Sequence, residues 1–118
     1  MSVAEALARY RDYLLETRAR NSGAMRYYKR RSEEPLLGEG ADWGNSYWYF
    51  EVAPKGTVTR QIEVFDNGTV LSYHPHHIDD EFGGLADQLI DHNEFAAYSI
   101  SREEFENSWG TFREADAP

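Results

Sequence analysis

The side chains best equipped for chemistry lie in one run, His74-Pro75-His76-His77-Ile78-Asp79-Asp80-Glu81. Imidazoles and carboxylates are metal-capable types. If the run leaves a strand, His74 and His76 project to one side of it, because strand side chains alternate. Asp80 then completes an HxHxxxD pattern related to those of metallohydrolases. Such enzymes need a larger scaffold and further ligands, and only His92 remains to offer another imidazole. His74, His76, His77 and Asp80 are thus the candidate metal set of a small metal-binding protein or hydrolase. The plainer reading is a polar loop followed by a helix cap.

No other chemistry has a motif behind it. Ser46, Ser72, Ser99, Ser101 and Ser108 lack the GxSxG elbow that activates a serine. Neither GxxxxGK[ST] nor GxGxxG is present, so a nucleotide has no phosphate cradle. Cysteine is absent, which removes thiol catalysis, Cys-ligated zinc and disulfides together. The expectation is no catalytic residue and no cofactor.

The element that would carry the histidines is the stretch Thr57–Tyr73. Asn67-Gly68 is a two-residue turn signal, since both residues tolerate positive φ. A type I′ turn there sets Phe65 opposite Val70, Val64 opposite Leu71 and Ile62 opposite Tyr73. The run Tyr47–Val52 is aromatic and β-prone, and Pro54-Lys55-Gly56 joins it to the hairpin. An odd loop puts Trp48, Phe50 and Val52 on the Ile62/Val64 face. An even loop sets them against Thr59, Gln61 and Glu63. Burying three large side chains stabilises by ~1.5–3 kcal/mol each, which favours the odd loop. Tyr47, Tyr49, Phe65 and Val70 then share the second face as a patch that another segment or a protein partner has to cover.

Helices flank this meander. Ser2 to Glu5 is a capping box, followed by Val3, Leu7, Tyr10 and Leu14 at helical spacing, with Asn21-Ser22-Gly23 as the stop. Met25–Arg31 reads as a basic edge strand. The loop 32–45 brings Leu36, Leu37 and Trp43 over one end of the core. Phe82, Leu85, Leu89 and Ile90 predict a short helix near 80–92, although Gly83-Gly84 weakens its first turn. Phe95–Ile100 reads as a last short strand. Ser101 to Glu104 caps a terminal helix with Phe105, Trp109 and Phe112 inward, ending near Gly110. The expected fold is α+β: an antiparallel sheet of four or five strands with helices mainly on one face. It forms a single domain over 1–118, with an added N-terminal helix over 1–24, a core over 25–112 and a frayed tail over 113–118.

Charge divides the chain. Residues 1–31 carry eight bases and three acids, a balance of +5, and residues 32–118 carry four bases and eighteen acids, a balance of −14. An acidic body repels nucleic acid and steers basic partners toward it. The basic N-terminal helix either presents solvated arginines or docks on acidic surface, its own or a neighbour's, which would give a homo-oligomer. No apolar run is long enough for a membrane span, and no leader-like segment opens the chain, so a cytoplasmic home without membrane contact is expected.

From Met25 on, the chain resembles a group of small bacterial domains of unknown function. The resemblance lies in Arg26-Tyr27-Tyr28-Lys29, Arg60–Gly68 and Ile100–Trp109, and covers residues 25–112. These are structural motifs, and no catalytic residues travel with them. Similar small acidic domains occur as immunity proteins of toxin systems. The resemblance therefore implies a non-catalytic module that binds a basic protein surface.

Overall fold

The computed structural model describes residues 1–116, with side chains to residue 112. The fold is α+β, with a five-stranded antiparallel sheet between an N-terminal and a C-terminal helix. Helix α1 (Val3–Arg20) starts where Ser2 Oγ accepts the Glu5 N–H at 3.1 Å. Strands β1 (Arg26–Ser32), β2 (Ser46–Val52), β3 (Val58–Phe65) and β4 (Val70–Tyr73) form a meander. A two-stranded ribbon follows, β5 (Asp79–Asp80) and β6 (Gly83–Gly84). Strand β7 (Ser99–Ile100) then returns to pair with β1, giving the order β4-β3-β2-β1-β7. Helix α2 (Arg102–Asp116) opens on Ser101, whose Oγ accepts the Glu104 N–H at 3.0 Å. It continues through Gly110 to Asp116, so the expected stop at Gly110 is not there, and of the expected frayed tail only 117 and 118 lie outside the described residues.

Both hairpin registers differ from expectation, for separable reasons. At Asn67-Gly68 the loop holds three residues. Phe65 N–H donates to Thr69 O, Gly68 N–H donates to Phe65 O, and the strands pair Val64 with Val70 and Ile62 with Ser72. Gly68 alone takes positive φ, at 92°, which fits a type I turn closed by a left-handed glycine rather than a type I′ turn. Asp66 explains the choice. Its carboxylate accepts from Arg31 at 2.8 and 3.1 Å and from Asn45 N–H at 3.0 Å, tying the turn to two neighbouring segments.

Between β2 and β3 the loop is odd, as expected: Ala53 pairs with Thr57 across Pro54-Lys55-Gly56. A β-bulge then reverses the outcome. Val52 pairs with Val58 but Glu51 pairs with Arg60, which leaves Thr59 as the extra residue. One inserted residue moves every later side chain to the other face. Phe50 therefore lies beside Gln61 and Trp48 beside Glu63, and Trp48 and Ile62 point to opposite sides. A single apolar face does not describe this sheet.

Both faces are covered instead. On one, α2 packs Phe105 and Trp109 against Tyr27, Tyr49, Ile62 and Val70. Phe105 is fully buried, a burial worth ~1.5–3 kcal/mol. On the other, Leu14 and Tyr10 of α1 join Tyr28, Phe50, Phe65, Leu71, Tyr73 and Leu85. Trp43 and Leu36 close this face, whereas Leu37 is 94% exposed. The expected helix near 80–92 is absent; a strap of irregular chain runs there. Gly83-Gly84 disfavours a helix, and the strap's backbone finds other partners. Gln61 Nε2 donates to Gly84 O at 2.9 Å and its Oε1 accepts from Ala86 N–H at 2.8 Å. Ile90 N–H donates to Gly56 O at 2.8 Å, a close approach that a Cβ on Gly56 would block.

Candidate functional site

The histidine run leaves β4 as a tight turn. His74 and His77 exchange backbone hydrogen bonds at 3.1 and 2.9 Å across Pro75-His76. This geometry sets the His74 ring 6.4 Å from that of His76 and 6.1 Å from that of His77, centroid to centroid. His76 N–H donates to His74 Nδ1 at 3.2 Å, so that nitrogen is already an acceptor, and the His74 ring meets Trp109 edge-on. His77 stacks on Tyr73 with centroids 5.6 Å apart. Asp80 accepts from Tyr73 Oη at 2.7 Å, from Phe82 N–H at 2.9 Å, and lies 3.2 Å from His77 Nε2. Partial burial pushes the Asp80 carboxyl up, but the donors Tyr73, Phe82 and His77 together hold it below its usual range. Asp80 thus anchors a turn. Among the described residues no three His, Asp or Glu side chains converge on one point where a metal ion could sit.

The expected aromatic patch is divided. Tyr49 and Val70 lie buried under α2, and Phe65 belongs to the core of the opposite face. Only Tyr47 remains open, 42% exposed. Its ring receives Lys29 Nζ at 4.9 Å and the Arg31 guanidinium at 4.9 Å. The bulge and the three-residue turn cause the split, since each moves part of the set by one position.

Two buried carboxylates that sequence reasoning passed over are tightly held. Glu51, 2% exposed, accepts from Arg60 at 2.5 Å, from Arg18 at 2.6 Å and from Thr59 Oγ1 at 2.7 Å. Arg60 also donates to Glu106 of α2, and its guanidinium lies 5.0 and 4.9 Å from the ring centres of Phe105 and Trp109. A relay of Arg18, Glu51, Arg60 and Glu106 therefore ties α1 to α2 through the sheet. Burial pushes the Glu51 carboxyl up, yet hydrogen bonds from Arg60, Arg18 and Thr59 and the Arg60 charge outweigh it and hold the pKa low. Glu63, on the other face, is also buried, with Ser46 Oγ donating at 2.6 Å. Burial dominates there and its pKa is raised. Charged residues inside an otherwise β-prone run were the available signal for both. A third such contact joins Tyr28 to His92, whose Nε2 lies 3.0 Å from Ala53 O. Tyr28 Oη donates to Nδ1, and the imidazole donates in turn to the carbonyl, pinning the strap to the β2–β3 turn.

The strap carries a run of acidic residues. Asp79, Asp80, Glu81, Asp87, Asp91 and Glu94 are all exposed, with no Lys or Arg between residues 79 and 94. Leu89 stands among them, 70% exposed. No helix among the described residues is long and apolar enough to cross a membrane. Compared with protein-family models, curated proteins and solved structures, the chain matches none.

Proposed function

We propose that this chain is a non-catalytic protein-binding module whose acidic strap engages a basic protein surface, in the manner of an immunity protein that masks a toxin. The observation that supports it is the run of six exposed carboxylates over 79–94 with no base among them. Like charge at this density accelerates encounter with a cationic partner, and exposed Leu89 offers an apolar anchor beside it. The likeness over residues 25–112 to small bacterial domains supports the same reading, with a bacterial cytoplasmic setting. Calorimetry or co-purification with the product of a neighbouring toxin-like gene tests it. Salt-sensitive binding is expected, and it should be lost on reversing Asp87 and Asp91 to lysine. Binding by no basic partner would overturn it.

A second reading, a homo-oligomer built through α1, draws on the apolar side chains that helix leaves outside: Val3 is 77% exposed and Tyr13 55%. Light scattering at low and high salt tests it. A metal-binding or hydrolytic role for His74, His76, His77 and Asp80 is decided by elemental analysis of untagged protein and by melting with added zinc.

A further inference from the structure

Beside the strap, the sheet face that carries Phe50 opens into a cleft. The registers set Arg30 beside Trp48 and Trp48 beside Glu63, so these three share that face. Ser32 and Phe50 stand two positions further along the same strands and share it too. Arg30, Ser32, Trp48 and Phe50, with Glu34 and Ala86, line one cleft of about 560 Å³, within the range of small-molecule sites. Its floor is aromatic. Trp48 and Phe50 stack at 5.6 Å with their planes 11° apart, and Trp48 stays only half-buried. The wall formed by Ala86 is fixed, because its N–H donates to Gln61 Oε1 at 2.8 Å.

The cleft carries an uncommitted charge of each sign. Arg30 is exposed, and its guanidinium lies over the Phe95 and Tyr98 rings at 5.4 and 5.1 Å. Those rings steady the cation, and no carboxylate among the described residues pairs with it. Glu34 is exposed as well. Its backbone N–H donates to Ser32 Oγ at 3.3 Å, while its carboxylate has no partner among the described residues. The adjacent Glu33 differs, since Arg31 and Asn45 Nδ2 already hold it. Arg30 and Glu34 thus line the same cleft without closing on each other. Opposite charges left apart beside an aromatic floor suit a ligand that bears both charges and a ring.

We infer that this cleft binds a compact amphoteric aromatic molecule, an aromatic amino acid in class, with its ring on Trp48, its carboxylate on Arg30 and its ammonium on Glu34. A guanidinium offers a carboxylate two parallel N–H donors, and an indole offers a planar surface for an aromatic ring. Ligands with a single charge fit less well. A simple carboxylate gains Arg30 but is repelled by Glu34, and a simple amine gains Glu34 but is repelled by Arg30. A nucleotide could stack on Trp48 too, but its phosphates would face Glu33 and Glu34 in a chain of net charge −9. Such binding needs no protein partner and is independent of what the acidic strap engages.

The test is an amide NMR titration of the full chain with L-phenylalanine, whose dissociation constant is expected at about 1 mM, the scale for a ligand of that size. Four controls each remove or exchange one feature. N-acetylphenylalanine lacks the ammonium, phenylalaninamide lacks the carboxylate, leucine lacks the ring, and AMP presents a ring with a phosphate. Shifts are expected at Arg30, Ser32, Ala86 and the Trp48 indole N–H. The two blocked analogues and leucine should bind about tenfold more weakly than phenylalanine. An R30Q variant should abolish the difference between phenylalanine and its amide, and E34Q the difference between phenylalanine and its N-acetyl form. Equal binding of all the analogues, differences that persist in R30Q and E34Q, preferential binding of AMP, shifts confined to other surfaces, or no response at tens of millimolar ligand would each overturn it. The analogue series on the unmodified chain decides the matter even if a variant fails to fold.

Discussion

Two glutamates in the middle of one sheet, Glu51 in β2 and Glu63 in β3, are both almost fully buried and titrate in opposite directions. Glu51 receives two guanidinium groups and a threonine hydroxyl. Glu63 receives one serine hydroxyl, with Trp48 and Leu71 as its cross-strand neighbours. Burial alone disfavours the charged form of either. The number and charge of the donors decide which way each pKa moves. The two faces are therefore held differently: the α2 face by an ionic relay that also recruits α1, and the strap face by apolar packing around a carboxyl whose pKa burial raises.

The largest expected effect breaks the relay. Glu51→Ala leaves Arg60 buried and Arg18 without its partner, and removing one member of a buried pair costs ~3–5 kcal/mol. Urea unfolding should show that loss. Glu51→Ala combined with Arg60→Met should recover much of it, because an apolar replacement of the whole pair can be near neutral. A cost below about 1 kcal/mol for the single change would place the relay among ordinary surface pairs.

The same contrast predicts opposite pH dependences. The folded pKa of Glu51 lies below its unfolded value. Its contribution is complete above the ordinary glutamate value of about 4.3 and is lost as pH falls through the folded pKa. For Glu63 the folded pKa is raised, so its protonated form is the stabilising one. That stability is present at low pH and lost as pH rises from about 4.3 through the raised value. Glu63→Gln should therefore gain stability over the parent as pH rises above about 4.3, and show no such gain below it. Melting temperatures of both chains across that range check it. A neutral-pH loss on Glu63→Gln would mean an ionised Glu63 with a partner of its own.

The elements were legible in the sequence because local chemistry specifies them. Both capping boxes, the Asn67-Gly68 turn and the Pro54-Lys55-Gly56 loop lie where their residues call for them. What was not legible is parity. Thr59 carries no mark of a bulge, and the third residue of the turn is chosen by Asp66, through contacts to Arg31 and Asn45 more than twenty positions away. Parity in turn decides which side chains share a face. The candidate patch of Tyr47, Tyr49, Phe65 and Val70 separated for that reason, while Pro75-His76 makes a two-residue turn that pairs the backbones of His74 and His77. The strap escaped notice because its backbone bonds to Gln61 of β3 and Gly56 of the β2–β3 loop, both distant in sequence, which no local pattern encodes.

The smallest expected effect asks whether the relay face can be strengthened without touching its charges. Gly110 lies inside α2, and a Cβ built there meets nothing within 4 Å. Gly in a helix interior costs roughly 0.5–1 kcal/mol relative to Ala, so Gly110→Ala should raise stability by about that amount. The gain comes from backbone entropy and carries no proton. It should shift the whole stability-against-pH curve upward without altering its shape, whereas Glu63→Gln bends the curve. A Gly110→Ala gain that varied with pH would show that α2 is coupled to the titration of Glu51 through Glu106 and Arg60. Helix α2 and the relay would then be one electrostatic unit on that face rather than a helix held by apolar packing alone.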